Sequence, residues 1–202
     1  MIQFTSLIIM TVQIAALVAA ILSWKKYKNT TEKYFLFFLI YIVLNEITGY
    51  VIGGDNLYIY NIYTVLSISF YLFWFHQILN NKGLIKILGF LFLITIVYTA
   101  VKQDFWTSLW TFPFIPSSII IIICSTLFFN SFLNNLKAIS YTNSQQFWIV
   151  TGLLIFYVGF LPIALTWGMI KPGSYPFRLI IMTLNLLLYG FYIKSFLCLK
   201  QN

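Results

Sequence analysis

The stretch FTSLIIMTVQIAALVAAILSWKKYK, residues 4–28, decides the fold. Residues 4–24 carry no charge, and then Lys25, Lys26 and Lys28 arrive together. About 20 mostly apolar residues in a helix, rising about 1.5 Å each, cross the roughly 30 Å of bilayer hydrocarbon. A secretory signal has its basic residues before the apolar run and small residues after it. Here the order is reversed, so 4–24 is expected to be an uncleaved first span whose short N-terminal tail lies outside.

Six more runs of this kind follow, giving expected spans at 4–24, 34–52, 57–79, 84–101, 112–133, 147–170 and 176–199. The runs are continuous rather than alternating, which excludes a β-barrel. The expected fold is all-α: one seven-helix transmembrane domain over residues 1–202, with short connections and no soluble domain. Composition agrees. Of 202 residues 61% are hydrophobic, 20% aromatic and 8% charged, against about 25% charged in ordinary soluble domains. Mean hydropathy is +0.91. A soluble enzyme, a disordered tail and a disulfide-stapled module are excluded.

The net charge of +8 reports orientation rather than a nucleic-acid partner. Eleven of the twelve basic residues are Lys, Arg178 being the exception, and none is interleaved with exposed aromatics as on a nucleic-acid face. Lys25, Lys26, Lys28, Lys33, Lys82 and Lys86 fall on one side of the expected bilayer, with Lys137, Lys194 and Lys200. Only Lys102, Lys171 and Arg178 fall on the other. The positive-inside rule makes the side with nine cytoplasmic, the N-terminus outside and the C-terminus inside. The expected location is the cell membrane. Trp24, Tyr27, Tyr34, Tyr58, Trp106, Trp110, Trp148 and Tyr175 sit where an aromatic belt would.

Helix starts are marked by Asn29-Thr30-Thr31-Glu32 and Asn143-Ser144-Gln145-Gln146, each with capping side chains. Gly53-Gly54 and Pro172-Gly173 mark turns. The two cap stretches lie about 113 residues apart, an offset that sets Gly49 against Pro162. A parallel duplication would produce this, but the halves otherwise share little identity, and two unrelated helices with ordinary caps is the preferred reading.

Polar groups at membrane depth are costly unless satisfied, so they are the main functional clue. Gln13, Asn45, Glu46, Tyr157 and Asn185 fall near the midplane, as do Ser67, Ser69 and Thr95. Asn61, Thr64, Thr99 and Thr183 lie nearer the outside. Together they can line an outward-facing cavity. Alternatively, Ser and Thr bond their own helix carbonyls while Asn and Gln join helices. Glu46 is the sharpest of these: the other acidic residues, Glu32, Asp55 and Asp104, are in loops. It is expected to be neutral or paired, and to couple to protons, bind a cationic or polar ligand, pair with Arg178, or hold helices together with Asn45. Pro162 inside the sixth span frees the Val158 carbonyl and, with Gly159, makes a candidate hinge.

One His and two Cys make no conventional metal site, and no cofactor is expected. Seven helices with an outside N-terminus match rhodopsins in topology only. Residues 183–189 of the last span hold no Lys for a retinal Schiff base. No nucleophile elbow, His-Glu-x-x-His or Walker loop is present, and no selectivity-filter sequence. The expected function is non-enzymatic: a sensor or regulatory membrane subunit working through a protein partner or homo-oligomer. The alternatives are a small transporter or oligomeric pore-forming subunit using Glu46, and a structural or assembly subunit.

Overall fold

A helix stands in each of the seven expected spans: α1 (Ile2–Tyr27), α2 (Lys33–Ile52), α3 (Leu57–Ile78), α4 (Lys82–Lys102), α5 (Phe114–Leu133), α6 (Gln145–Leu165) and α7 (Tyr175–Leu197). The computed structural model describes residues 2–53, 57–134, 141–167 and 174–199. Gly54, Asp55, Lys137, Lys171, Pro172, Gly173 and Lys200, named above, lie outside the described residues, as do residues 168–170 of the expected sixth span. All seven helices are long and apolar enough to cross a membrane.

Local chemistry sets the boundaries. Asn81 Oδ1 accepts from the Leu84 amide at 3.2 Å and Ser144 Oγ from Phe147 at 3.3 Å, so α4 and α6 begin on side-chain caps. Gly53, with φ +58°, ends α2 in a conformation that favours glycine. Pro176 lies in the first turn of α7, where its missing N–H costs nothing. The other expected cap behaves differently. Glu32 occupies the cap position of α2 but does not cap it with its side chain. Its Oε1 instead accepts from Gln146 Nε2 at 2.7 Å and from Thr31 Oγ1 at 2.9 Å. The two stretches noted for their 113-residue offset are therefore bonded to each other.

Successive helices neighbour one another and α7 closes back onto α1, giving a ring. The tightest packing is α6 on α7, with α1 on α7 and α5 on α6 close behind. Small residues explain it. A Cβ added at Gly152 would meet Phe191 Cβ at 2.9 Å and the Leu188 carbonyl at 3.3 Å, and one at Gly159 would strike the Leu184 side chain. On α1, Ala16, Ala20 and Ser23 form a buried strip of the small-residue kind that lets membrane helices approach. The core between is aromatic: Trp74, Phe75, Phe35, Tyr27, Tyr192 and Phe196 are fully buried. Phe35 packs edge-on against Trp74 at 4.9 Å and Tyr192 at 5.6 Å. The α4 helix is peripheral, burying only Ile85, Leu88, Phe92 and Thr99.

Each end of the bundle is tied. At one, Lys26 Nζ donates to the Leu199 carbonyl at 2.9 Å, Glu32 meets Gln146, and Lys194 lies over the Trp148 ring. These contacts also show that α1 and α7 run in the same direction. At the other, Asn61 at the start of α3 holds the α4–α5 connection. Among the described residues, Lys25, Lys26, Lys28, Lys33, Lys82, Lys86 and Lys194 belong to the first end, and Lys102 and Arg178 to the second.

The glycine contacts make a prediction. Gly152→Leu overpacks the α6–α7 seam and should cost about 1–3 kcal/mol, lowering the melting temperature in detergent. Gly190→Ala, with open space at its Cβ, should leave it unchanged or slightly raised.

Candidate functional site

The polar layer expected at membrane depth resolves into groups with different fates. Thr64, Thr99 and Thr183 donate to carbonyls four residues earlier on their own helices, and Thr95 to one three earlier. Asn185 does the same, Nδ2 to the Ile181 carbonyl at 2.8 Å. These side chains satisfy themselves within the helix and need no partner across the bundle.

Asn61 is a staple. It is 1% exposed, and its Nδ2 donates to the carbonyls of Phe105 and Ser108, both at 2.9 Å, while its Oδ1 accepts from the Trp110 amide at 2.9 Å. The held segment is organised by Asp104, whose Oδ1 accepts from the amides of Trp106 and Thr107 and from Thr107 Oγ1. Those donors hold the exposed Asp104 carboxyl below its ordinary range. The stabilisation this gives the turn is therefore full at neutral pH, declines below the ordinary carboxyl range and is lost as pH falls through the lowered value. Trp110 is tucked under Phe105, and Trp106 rests on Tyr58. The α4–α5 connection thus covers part of this end of the bundle.

Gln13 lies elsewhere, at the centre. It is 4% exposed, and its Nε2 donates to the Tyr189 hydroxyl at 3.2 Å, joining α1 to α7. Its Oε1 has no partner. Around it the bundle collects tyrosines. The hydroxyls of Tyr71 on α3 and Tyr192 on α7 lie 3.1 Å apart. Tyr157 on α6 sets its ring edge-on to Tyr71 at 6.3 Å, and Tyr189 and Tyr192 are perpendicular at 5.7 Å. Tyr63 lies next to Tyr189 and Ser67. Ser67 is 3% exposed, and the Tyr63 hydroxyl one turn away on α3 is its nearest hydrogen-bonding neighbour. Four helices therefore supply hydroxyls and one amide, with no charge, to one interior region in which Gln13 Oε1 is left unpaired.

Glu46 and Asn45 are half-buried on α2. Glu46 is within electrostatic range of Tyr60 and Tyr63 on α3. Arg178 begins α7, its amide bonded to the Ser174 carbonyl, and forms no ion pair with Glu46 among the described residues. Pro162 stands in the last turn of α6, three residues before Leu165, and its carbonyl accepts from Thr166 N at 3.0 Å and Oγ1 at 2.8 Å. The proline thus lies inside α6 one turn from its end, and Gly159 packs closely against Leu184.

Tyr63, Tyr71, Tyr189 and Tyr192 were not among the residues expected to form a site. Their signal was spacing: positions 63, 67 and 71 recur every four residues, and 189 and 192 are three apart, so each set shares a helix face. Reading membrane tyrosines mainly as interfacial anchors hides this. Among the described residues no three of His, Cys, Asp and Glu come together to hold a metal, and Cys124 and Cys198 are free thiols.

No protein-family model matches the chain, and no match is found among curated proteins or solved structures.

Two tests follow from the geometry. Tyr189→Phe leaves the Gln13 amide without its acceptor and should lower stability by about 1 kcal/mol. Adding Gln13→Leu removes the orphaned group, so the double variant should regain most of that loss in a thermal melt. Asn61→Leu should release the α4–α5 connection, seen as faster amide hydrogen exchange at Trp110 with little change in the centre of the bundle.

Proposed function

We propose that the chain is a non-enzymatic, multi-pass protein of the cell membrane that binds a small molecule in the tyrosine-lined centre of its helix bundle. In this reading it serves as a sensor or regulatory subunit. The observation that carries it is the Gln13 carbonyl oxygen, buried between helices and unpaired. An amide used only to join helices gains most by pairing both of its ends. Here one end is spent on Tyr189 and the other, Oε1, is left open. A ligand or ordered water bearing a hydrogen-bond donor fits that position.

Orientation follows from charge. The Lys-rich end is cytoplasmic, the N-terminus lies outside and the C-terminus inside. The connections between helices are too short for a separate domain, so a signal from the centre passes to a protein partner or a second copy of the chain. A transporter or oligomeric pore subunit is the second reading, favoured by the accessibility of Glu46 within an otherwise sealed face of α2.

Native mass spectrometry of protein released from its own membranes in mild detergent tests the first reading. The wild type should carry one small molecule per chain, and Gln13→Leu should lose it while keeping its fold. A bare wild-type mass, with no thermal stabilisation by any compound in a broad library, would leave only a packing role for these groups.

A further inference from the structure

From Gln13 on α1, a connected group of polar side chains crosses the centre of the bundle through Tyr189 and Tyr192 on α7, Tyr71 on α3 and Tyr157 on α6. Gln13 Nε2 lies 3.2 Å from the Tyr189 hydroxyl, and the Tyr189 and Tyr192 rings are 5.7 Å apart. The Tyr192 and Tyr71 hydroxyls lie 3.1 Å apart, and the Tyr71 and Tyr157 rings 6.3 Å. All five side chains are more than nine-tenths buried.

Hydrogens and acceptors do not balance within this group. Gln13 spends its nitrogen on Tyr189, which has Tyr63 beside it to receive its own hydrogen, while Gln13 Oε1 is buried with no partner. Tyr71 and Tyr192 have one bond between two hydroxyls, and a phenol has one hydrogen to give. One of their two hydrogens is therefore left over, whichever residue donates. Neither hydroxyl has another bond among the described residues. The open groups are thus one amide acceptor and one phenol donor, both uncharged. An ion placed here would lose its hydration and gain no counter-charge from them. An ether or ketone accepts but has no hydrogen for Gln13, whereas a hydroxyl gives and accepts through one atom. The tyrosine rings around these groups offer apolar surface to the rest of a ligand.

We propose that the centre of the bundle takes an uncharged alcohol with an apolar body. Its hydroxyl gives a hydrogen to Gln13 Oε1 and accepts the spare one of the Tyr71–Tyr192 pair, and its apolar part lies against the tyrosine rings. The assignment rests on the ligand-binding reading above and names the chemical class of that ligand.

The probe is benzyl alcohol, added to the full chain in lipid nanodiscs at neutral pH. Benzyl methyl ether keeps the acceptor without the donor, and benzylammonium chloride brings a charge. The alcohol should raise the melting temperature saturably, at a half-maximal concentration roughly tenfold below that of either control, as loss of one buried hydrogen bond implies. Gln13→Leu should abolish the shift. Tyr71→Phe still leaves Tyr192 one free hydrogen, so that variant should keep the shift, and Tyr71→Phe combined with Tyr192→Phe should lose it. No saturable response to the alcohol, an equal response to the ether or to benzylammonium, or a shift retained in Gln13→Leu would each overturn the assignment. If Gln13→Leu does not fold, an unchanged half-maximal concentration in the double Phe variant overturns it. A molecule co-purified with the wild type that carries a net charge or no hydroxyl would remove this assignment alone. A bare wild-type mass with no stabilisation by any compound would remove the ligand-binding reading as well.

Discussion

Hydrocarbon offers a polar group no partner, and the rest of this structure depends on that constraint. Backbone N–H and C=O groups answer it by forming helices, the only spanning form these continuous apolar runs allow. Side chains answer it locally where they can. Thr11, Thr48, Thr126 and Thr151 all donate to the carbonyl four residues before them, as does Ser118. Such residues are polar in the sequence but nearly apolar toward their neighbours. The groups that do not close on their own helix, Gln13 and the tyrosines around it, are the ones that give the centre of the bundle its chemistry.

Packing is uneven in a way that suits a site at the centre. The α6–α7 seam is closed by glycine, and α1 lies against α7 along small residues. The opposite side is looser: α4 buries a single narrow stripe, and α2 meets α3 largely through stacked rings, such as Phe38 on Phe70 at 4.1 Å. Both ends are tied by side-chain bonds, Glu32 to Gln146 at one and Asn61 to the α4–α5 connection at the other. A rigid seam beside a looser wall allows a bundle to admit a small molecule without coming apart.

The helices were legible because composition and run length decide them. Seven mostly apolar stretches of about 20 residues have few other uses. Boundaries were legible where a side chain caps its own helix, as Ser144 does, and misleading where it does something else, as with Glu32. The site was legible in part. Gln13 stood out because an amide in an apolar run is rare, and Glu46 because it is the sole acidic residue expected at that depth. Asn61 and Asn185 looked equivalent to them, but whether an amide bonds a loop, its own helix or another helix depends on tertiary distances that composition does not carry. The tyrosine cluster was hidden for a related reason: the same residue anchors a helix at the membrane interface or lines a core, and only its neighbours decide.

The central claim is that the middle of the bundle holds hydrogen-bonding positions that the protein does not itself fill. A structure in lipid nanodiscs, at a resolution that reveals ordered water, tests it most directly. The account predicts density of a ligand or water within hydrogen-bonding distance of Gln13 Oε1, beside Tyr189. A dry, close-packed centre, with the Gln13 amide turned to bond protein atoms at both ends, would contradict it.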